Sequence, residues 1–255
     1  MPAHARRGFL GLDFDGMDMA ATLAWLHRVA AGAAFTYVVT PNVDHLVRLD
    51  RLGEADAGAE MWSAYRGATL NLCDSRIVAR LARWRGVELP VVPGSDLTAR
   101  LFVDVLKPGD RVAIIGGDMA LRDGLSARYP HLDLVQHIPP MGLMRDAEAM
   151  AAAVAFGRNS NARFIMLAVG SPQQEVIAHR IALAGGATGC ALCIGASLDF
   201  IVGRQRRAPR AFQVLGLEWS YRLMSQPGRL WRRYLVEGPR IFRLARLWKP
   251  VTNER

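Results

Sequence analysis

The chain reads as an α/β protein: a Rossmann-like, mostly parallel sheet with helices on both faces, followed by a basic helical C-terminal appendage. Three observations predict this. Short apolar runs alternate with helical patterns along most of the 255 residues, and such alternation builds βαβ units around a parallel sheet. The runs are near-continuously apolar, as strands covered on both faces are. The net charge falls in the last 53 residues, where 13 Lys and Arg stand against 3 Asp and Glu, a balance of +10 beside +9 for the whole chain.

The predicted strands are Phe35–Thr40, Thr69–Cys73, Arg111–Ile115, Leu132–Ile138, Arg163–Val169 and Cys190–Ile194, with Val87–Val92 as a further short candidate. Helical patterns follow several of them, over Asp44–Leu52, Arg76–Trp84, Met119–Tyr129, Asp146–Phe156 and Gln174–Leu183. A division follows: residues 1–202 as the α/β catalytic domain and 203–255 as a basic amphipathic appendage for membrane association.

Composition narrows the function classes. At 51% apolar and 22% charged residues the chain is too apolar for disorder. No apolar run reaches the roughly 18 residues of a membrane span, and acids interrupt the N-terminal stretch, so no signal peptide is expected. Cys73, Cys190 and Cys193 make a poor disulfide framework, being odd in number. Cys190 and Cys193, three apart on one strand, point to opposite faces, which argues against a shared metal.

Ligands of doubly wound sheets sit at the carboxyl ends of the strands. The residues that follow the predicted strands there are polar or small: Thr40-Pro41-Asn42, Asp74-Ser75, Gly116-Gly117-Asp118, Gly170-Ser171-Pro172-Gln173-Gln174-Glu175 and Gly195-Ala196-Ser197-Leu198-Asp199. Gly116 could let backbone approach a phosphate at a helix N-terminus; the motif alone favours an ordinary strand-to-helix turn, because dinucleotide and P-loop signatures are absent. Asp74 could act as a general base, but local sequence favours it as the N-cap of the helix beginning at Arg76. Gln174 and Glu175 could read a base or sugar through paired hydrogen bonds, or simply open a helix behind Pro172. Asp13 and Asp15 form a D-x-D pair of the kind that holds a divalent metal in sugar-nucleotide enzymes, but the pair is short and common by chance.

Taken in order, Thr40-Pro41-Asn42, Asp74, Gly170-x-Pro172-x-Gln174-Glu175, Gly195-Ala196-x-x-Asp199-Phe200, Arg207-Ala208-Pro209 and Glu218-Trp219-x-x-Arg222-Leu223 resemble the WecG/TagA/CpsF glycosyltransferases, glycosyltransferase family 26. The resemblance implies an inverting transferase that needs no metal or other cofactor. It would move a sugar from a UDP-sugar (UDP-ManNAc, UDP-ManNAcA or UDP-glucose) to a polyprenyl-diphosphate-linked saccharide in cell-surface or exopolysaccharide synthesis. By position it makes Asp74 the catalytic base. Thr40, Asn42, Gly116, Gly170, Gln174, Glu175, Gly195 and Asp199 would bind substrate. Arg207, Arg222, Arg229 and Arg232 would meet the lipid diphosphate, with Trp248 at the membrane. Two departures, Ser75 where the family often has Gly and Pro93 where it often has Arg, bear on donor-sugar identity.

The resemblance also implies a location on the cytoplasmic face of the inner membrane and an anionic lipid surface as partner; a homo-oligomer is compatible with the chain. In the tail, Ile241, Leu244, Ala245 and Trp248 share one helix face. That face suits either an anionic bilayer or the chain's own core. The competing reading is a nucleic-acid-binding α/β protein with a basic aromatic tail, against which no helix-turn-helix, RNP or KH signature appears.

Overall fold

The computed structural model describes residues 5–55, 57–205, 208, 209, 212, 218–225 and 227–250. A hairpin opens the chain, β1 (Arg6–Phe9) and β2 (Leu12–Asp15), paired antiparallel through Leu10 and Gly11, both at positive φ. Paired left-handed residues match the right-handed twist of the flanking strands. Then follow α1 (Met19–His27), β3 (Thr36–Val39), α2 (Val43–Leu52), α3 (Ala57–Arg66), β4 (Leu70–Asn71), α4 (Arg76–Trp84) and α5 (Gly94–Arg100). The second half of the body runs β5 (Arg111–Gly116), α6 (Met119–Arg128), β6 (Asp133–His137), α7 (Ala147–Asn159), β7 (Phe164–Ala168), α8 (Gln173–Ala184), β8 (Cys190–Cys193) and α9 (Ser197–Ile201).

Six strands form one sheet in the order β4-β3-β8-β7-β5-β6, every pair parallel. The two-residue side-chain period divides their apolar residues between two cores. Tyr37, Val39, Ile115, Leu167 and Cys193 face one side, with α2, α3, α4, α7 and α8. Val38, Ile114, Met166, Cys190 and Leu192 face the other, with α1, α5, α6 and α9. Cys190 and Cys193 therefore lie on opposite faces, as their spacing predicts, and all three cysteines are free and buried. The segment read as a seventh strand contributes one parallel bridge, Val91 to Cys73, beside the edge strand β4. The Asp15 carboxylate also accepts the Asn71 N–H at 2.8 Å, so the hairpin covers that edge.

Topology places the crevice. β3 and β8 are neighbours, yet α2 leaves β3 on one face and α9 leaves β8 on the other. That is a topological switch point, where the carboxyl ends of the strands part and a ligand can enter. The β5 end, two strands along from β8, depends on a glycine. Gly116 has φ +107°, and a Cβ there would lie 2.8 Å from the Ala168 backbone carbon. We expect Gly116→Ala to cost about 2–3 kcal/mol, from strain plus displaced backbone, read as a lower urea midpoint with an unchanged slope.

The tail packs back on the body. It includes α10 (Glu218–Ser225), α11 (Pro227–Trp231), a π-helical stretch Arg232–Glu237 and α12 (Arg240–Leu247). Three ion pairs tie it to α2: Arg233 to Asp44 at 3.0 Å, Glu237 to Arg51 at 2.9 Å and Arg240 to Asp50 at 2.6 Å. Ile241 and Ala245 are buried in the same core as Val78 and Ala82 of α4. Trp248 meets Phe9 edge-on at 5.1 Å between ring centres. The apolar face of the last helix thus covers the protein's own core, and Trp248 points inward with it.

Candidate active site

Asp74 is not the cap of α4. Ser75 takes that position, its Oγ accepting from Val78 N at 3.3 Å. The Asp74 carboxylate is thereby released to the strand-end crevice, half-buried. Its Oδ1 accepts the Gly94 N–H at 2.8 Å and its Oδ2 accepts from the Asn42 amide at 3.2 Å. Asn42 has two tasks, because its Oδ1 also caps α2 by accepting Asp44 N–H at 3.1 Å. Gly94 opens α5, and a Cβ there would lie 2.9 Å from Thr40 Oγ1. The missing side chain lets α5 press against the end of β3 and present its N–H to Asp74. Asn42, Asp74 and Gly94 thus form one hydrogen-bonded corner at the β3 and β4 ends, with Thr40 packed against Gly94.

A second group sits at the β7 and β8 ends. Gln174 Oε1 accepts the Gly195 N–H at 2.8 Å, and Gln174 Nε2 donates to Glu175 Oε1 at 2.8 Å. These side chains are 4% and 1% exposed, so they reach the crevice from beneath. Among the described residues, Glu175 Oε2 and His45 Nδ1 are buried without a hydrogen-bond partner, an arrangement that buried polar groups rarely tolerate. Gly170 closes the loop: its carbonyl accepts Gln174 N–H at 3.0 Å, and open space surrounds its Cα.

His45 shows how dry this corner is. Burial pushes its imidazole down to about 4, against a smaller upward pull from Glu175; Arg233 and Arg48 add to the lowering. A histidine neutral when folded and free to protonate when unfolded loses stability as pH falls from 6.5 toward 4. Its contribution is complete above 6.5. The shift corresponds to roughly 3 kcal/mol at most. We expect His45→Gln to flatten the difference in unfolding free energy between pH 5 and pH 7.5, measured by urea titration.

The remaining predicted residues lie further along the edge. The Gly116 carbonyl accepts from Gln136 Nε2 at 2.9 Å, and Asp118 caps α6 through Leu121 N–H at 2.8 Å. Gly116 therefore serves the strand-to-helix turn. Asp199, on α9, faces Arg204 at 3.7 Å, and Arg204 also grips Asp118 at 2.6 and 2.7 Å. Burial raises the Asp199 carboxyl above the ordinary range, Arg204 opposes that shift, and Asp118 reinforces it.

The expected tail cations divide. Arg207 lies outside the described residues, as do the side chains of Arg222 and Arg229, while Arg232 is exposed. Among the described residues, Arg204 reaches Asp118 and Asp199, and Arg233 pairs with Asp44, two residues after Asn42. Asp44 also binds Arg48 at 2.8 Å, and Arg48 donates to Ser171 Oγ at 3.2 Å. This chain joins the tail, α2 and the Gly170 loop. Sequence reasoning missed Arg48, Arg204, Arg233 and the role of Gly94. The Asp44–Arg48 spacing of four on one helix was a readable sign; the partners of Arg204 and Arg233 are long-range and left none.

Asp15 gives its oxygens to Arg6 and Asn71 N–H, which makes it a structural post for the hairpin. Among the described residues no three His, Cys, Asp or Glu side chains gather as a metal site. A carboxylate held at a switch point by an amide and a backbone N–H, opposite a loop anchored by buried Gln and Glu and beside a docked cationic tail, suits transfer of a group to a hydroxyl. The model of the glycosyl transferase WecG/TagA/CpsF family matches residues 7–255, and the chain belongs to that family of glycosyltransferases, which act on UDP-sugars in cell-surface polymer synthesis.

Proposed function

We propose that the protein is an inverting, metal-independent transferase that moves a hexosyl group from a UDP-sugar to a polyprenyl-diphosphate-linked saccharide at the cytoplasmic face of the membrane. Asp74 is the general base in this reading. It takes the proton of the acceptor hydroxyl as that oxygen bonds to the anomeric carbon. The bond from that carbon to the diphosphate breaks on the opposite face, and its electron pair leaves with UDP. The observation that carries the reading is the release of Asp74 from helix capping and its fixation by Asn42 and Gly94 at the strand ends.

Thr40, Asn42 and Gly94 would shape the sugar side. Gln174, Glu175, Gly170 and Gly195 would set the nucleotide side, with Glu175 acting through Gln174. Tail arginines would neutralise diphosphate charge without a metal, since guanidinium pairs bidentately with phosphate. Arg207, Arg222, Arg229 and Arg232 are the proposed lipid-diphosphate contacts, and Arg233 supports them from Asp44. Among the described residues no helix is long and apolar enough to cross a membrane, so the reading needs the basic tail to hold the enzyme at the surface.

The test is UDP release from a panel of UDP-sugars with a short-chain polyprenyl-diphosphate saccharide as acceptor, with and without EDTA. Release that depends on the acceptor and persists in EDTA is the expected result. Loss of activity on chelation would overturn metal independence, and no release with any donor would overturn the assignment.

A further inference from the structure

We propose that the outer face of α4, in the body of the protein, is a second membrane-docking element that works beside α12 and takes an anionic phospholipid surface. The proposal rests on the membrane reading above and extends it to a helix outside the tail. Arg76, Arg80, Arg83 and Trp84 stand at i, i+4, i+7 and i+8 of α4, which places them on one stripe. All four are exposed, and Trp84 is 62% exposed. The opposite face is consumed by the core through Val78 and Ala82. Beside the stripe lies a groove of about 530 Å³ walled by Arg7, Arg76, Arg80 and Arg83, with Glu88 as its one acid. The Arg7 guanidinium donates to the Glu88 carbonyl, which sets it in the wall. Four guanidiniums around one groove match phosphate headgroups, and an exposed indole suits the interface between headgroup and acyl chain.

α12 continues this surface. Its inner residues Ile241 and Ala245 share a core cluster with Val78 and Ala82, so the outer faces of both helices turn away from the same layer. Arg85 at the end of α4 donates to the Trp248 carbonyl at 2.6 Å and joins the two helix ends. On the outside of α12 are Phe242 and Leu247, 57% and 63% exposed, with Arg243 and Arg246. Both helices therefore carry cations beside exposed apolar side chains. A nucleic acid would use the cations and stack bases on Trp84 and Phe242 but leave Leu247 in water. A bilayer surface takes the cations, the aromatics and the aliphatic side chain together.

The test is co-sedimentation of the full-length protein with vesicles of phosphatidylcholine alone, or with about one-third phosphatidylglycerol. Arg76→Glu combined with Arg83→Glu is expected to lower partition into anionic vesicles roughly thirtyfold or more. Because both positions are exposed, the melting temperature should stay at the wild-type value. Phe242→Ala combined with Arg243→Glu should lower binding as well. If the α4 variant binds like wild type while the α12 variant does not, the α4 assignment is wrong and the tail reading stands. If wild type ignores anionic vesicles, both fall, and salt-sensitive binding to an oligonucleotide without vesicle binding overturns both in the same way.

Discussion

Asp74→Asn is expected to reduce turnover by about 10²- to 10⁴-fold, the span that general base catalysis contributes, while the protein folds normally. The substitution keeps shape and one acceptor. Asn Oδ1 can still receive the Gly94 N–H, whose present bond to Asp74 is 2.8 Å. The new amide would face the Asn42 Nδ2, which now donates to Asp74 at 3.2 Å, and two donors cannot satisfy one another. Asn42 cannot flip freely to resolve this, because its Oδ1 caps α2. The stability cost should thus be about 1 kcal/mol, too small to explain a loss of two orders of magnitude. Binding of the UDP-sugar should survive, so kcat falls with little change in donor KM. Steady-state UDP release decides the matter: wild-type turnover would remove Asp74 from the chemistry. A large rise in donor KM at unchanged kcat would make it a binding residue.

What could be read from the sequence depended on whether a signal was local. The six parallel strands were legible because burial on both faces forces continuous apolar runs, and each run falls on β3 to β8. The opening hairpin was not, since its strands are four residues long and charged. Asp74 is the instructive case. Local sequence favours it as a cap, because an Asp just before a helix usually is one. Ser75, one residue later, competes for the same task and wins. What occupies Asp74 instead lies 20 and 32 residues away, at Gly94 and Asn42. The same limit applies to Arg163, which is 6% exposed and clamps Val29 O at 2.8 Å and Asp110 at 2.6 Å; its buried role rests on partners 134 and 53 residues distant. Charge balance identified the tail as special, but could not say which of its faces meets the body.

That last question has a sharp test. Ile241→Asp is expected to cost about 4 kcal/mol of folding stability, whereas Phe242→Asp, its neighbour in the chain, should change stability by no more than about 0.5 kcal/mol. Ile241 is 1% exposed and sits in the cluster that includes Phe9, Leu46 and Val78. A carboxylate there loses its water with no described cation in the cluster to receive it, and the isoleucine's apolar burial is lost too. Phe242 is turned about 100° away around the same helix and is 57% exposed. Urea unfolding of the two variants separates the alternatives that the amphipathic pattern left open. If α12 packs on the body, the first variant loses much of the 5–15 kcal/mol typical of a domain and the second keeps it. If the apolar face instead served only the bilayer, both would unfold like wild type, and Ile241→Asp alone would lose vesicle binding. The outcome also governs how the tail can be probed. Truncation after residue 202 would uncover Phe9 and its neighbours along with removing the cations, so a dead truncated protein would not separate catalysis from folding. Charge reversals on the exposed faces would.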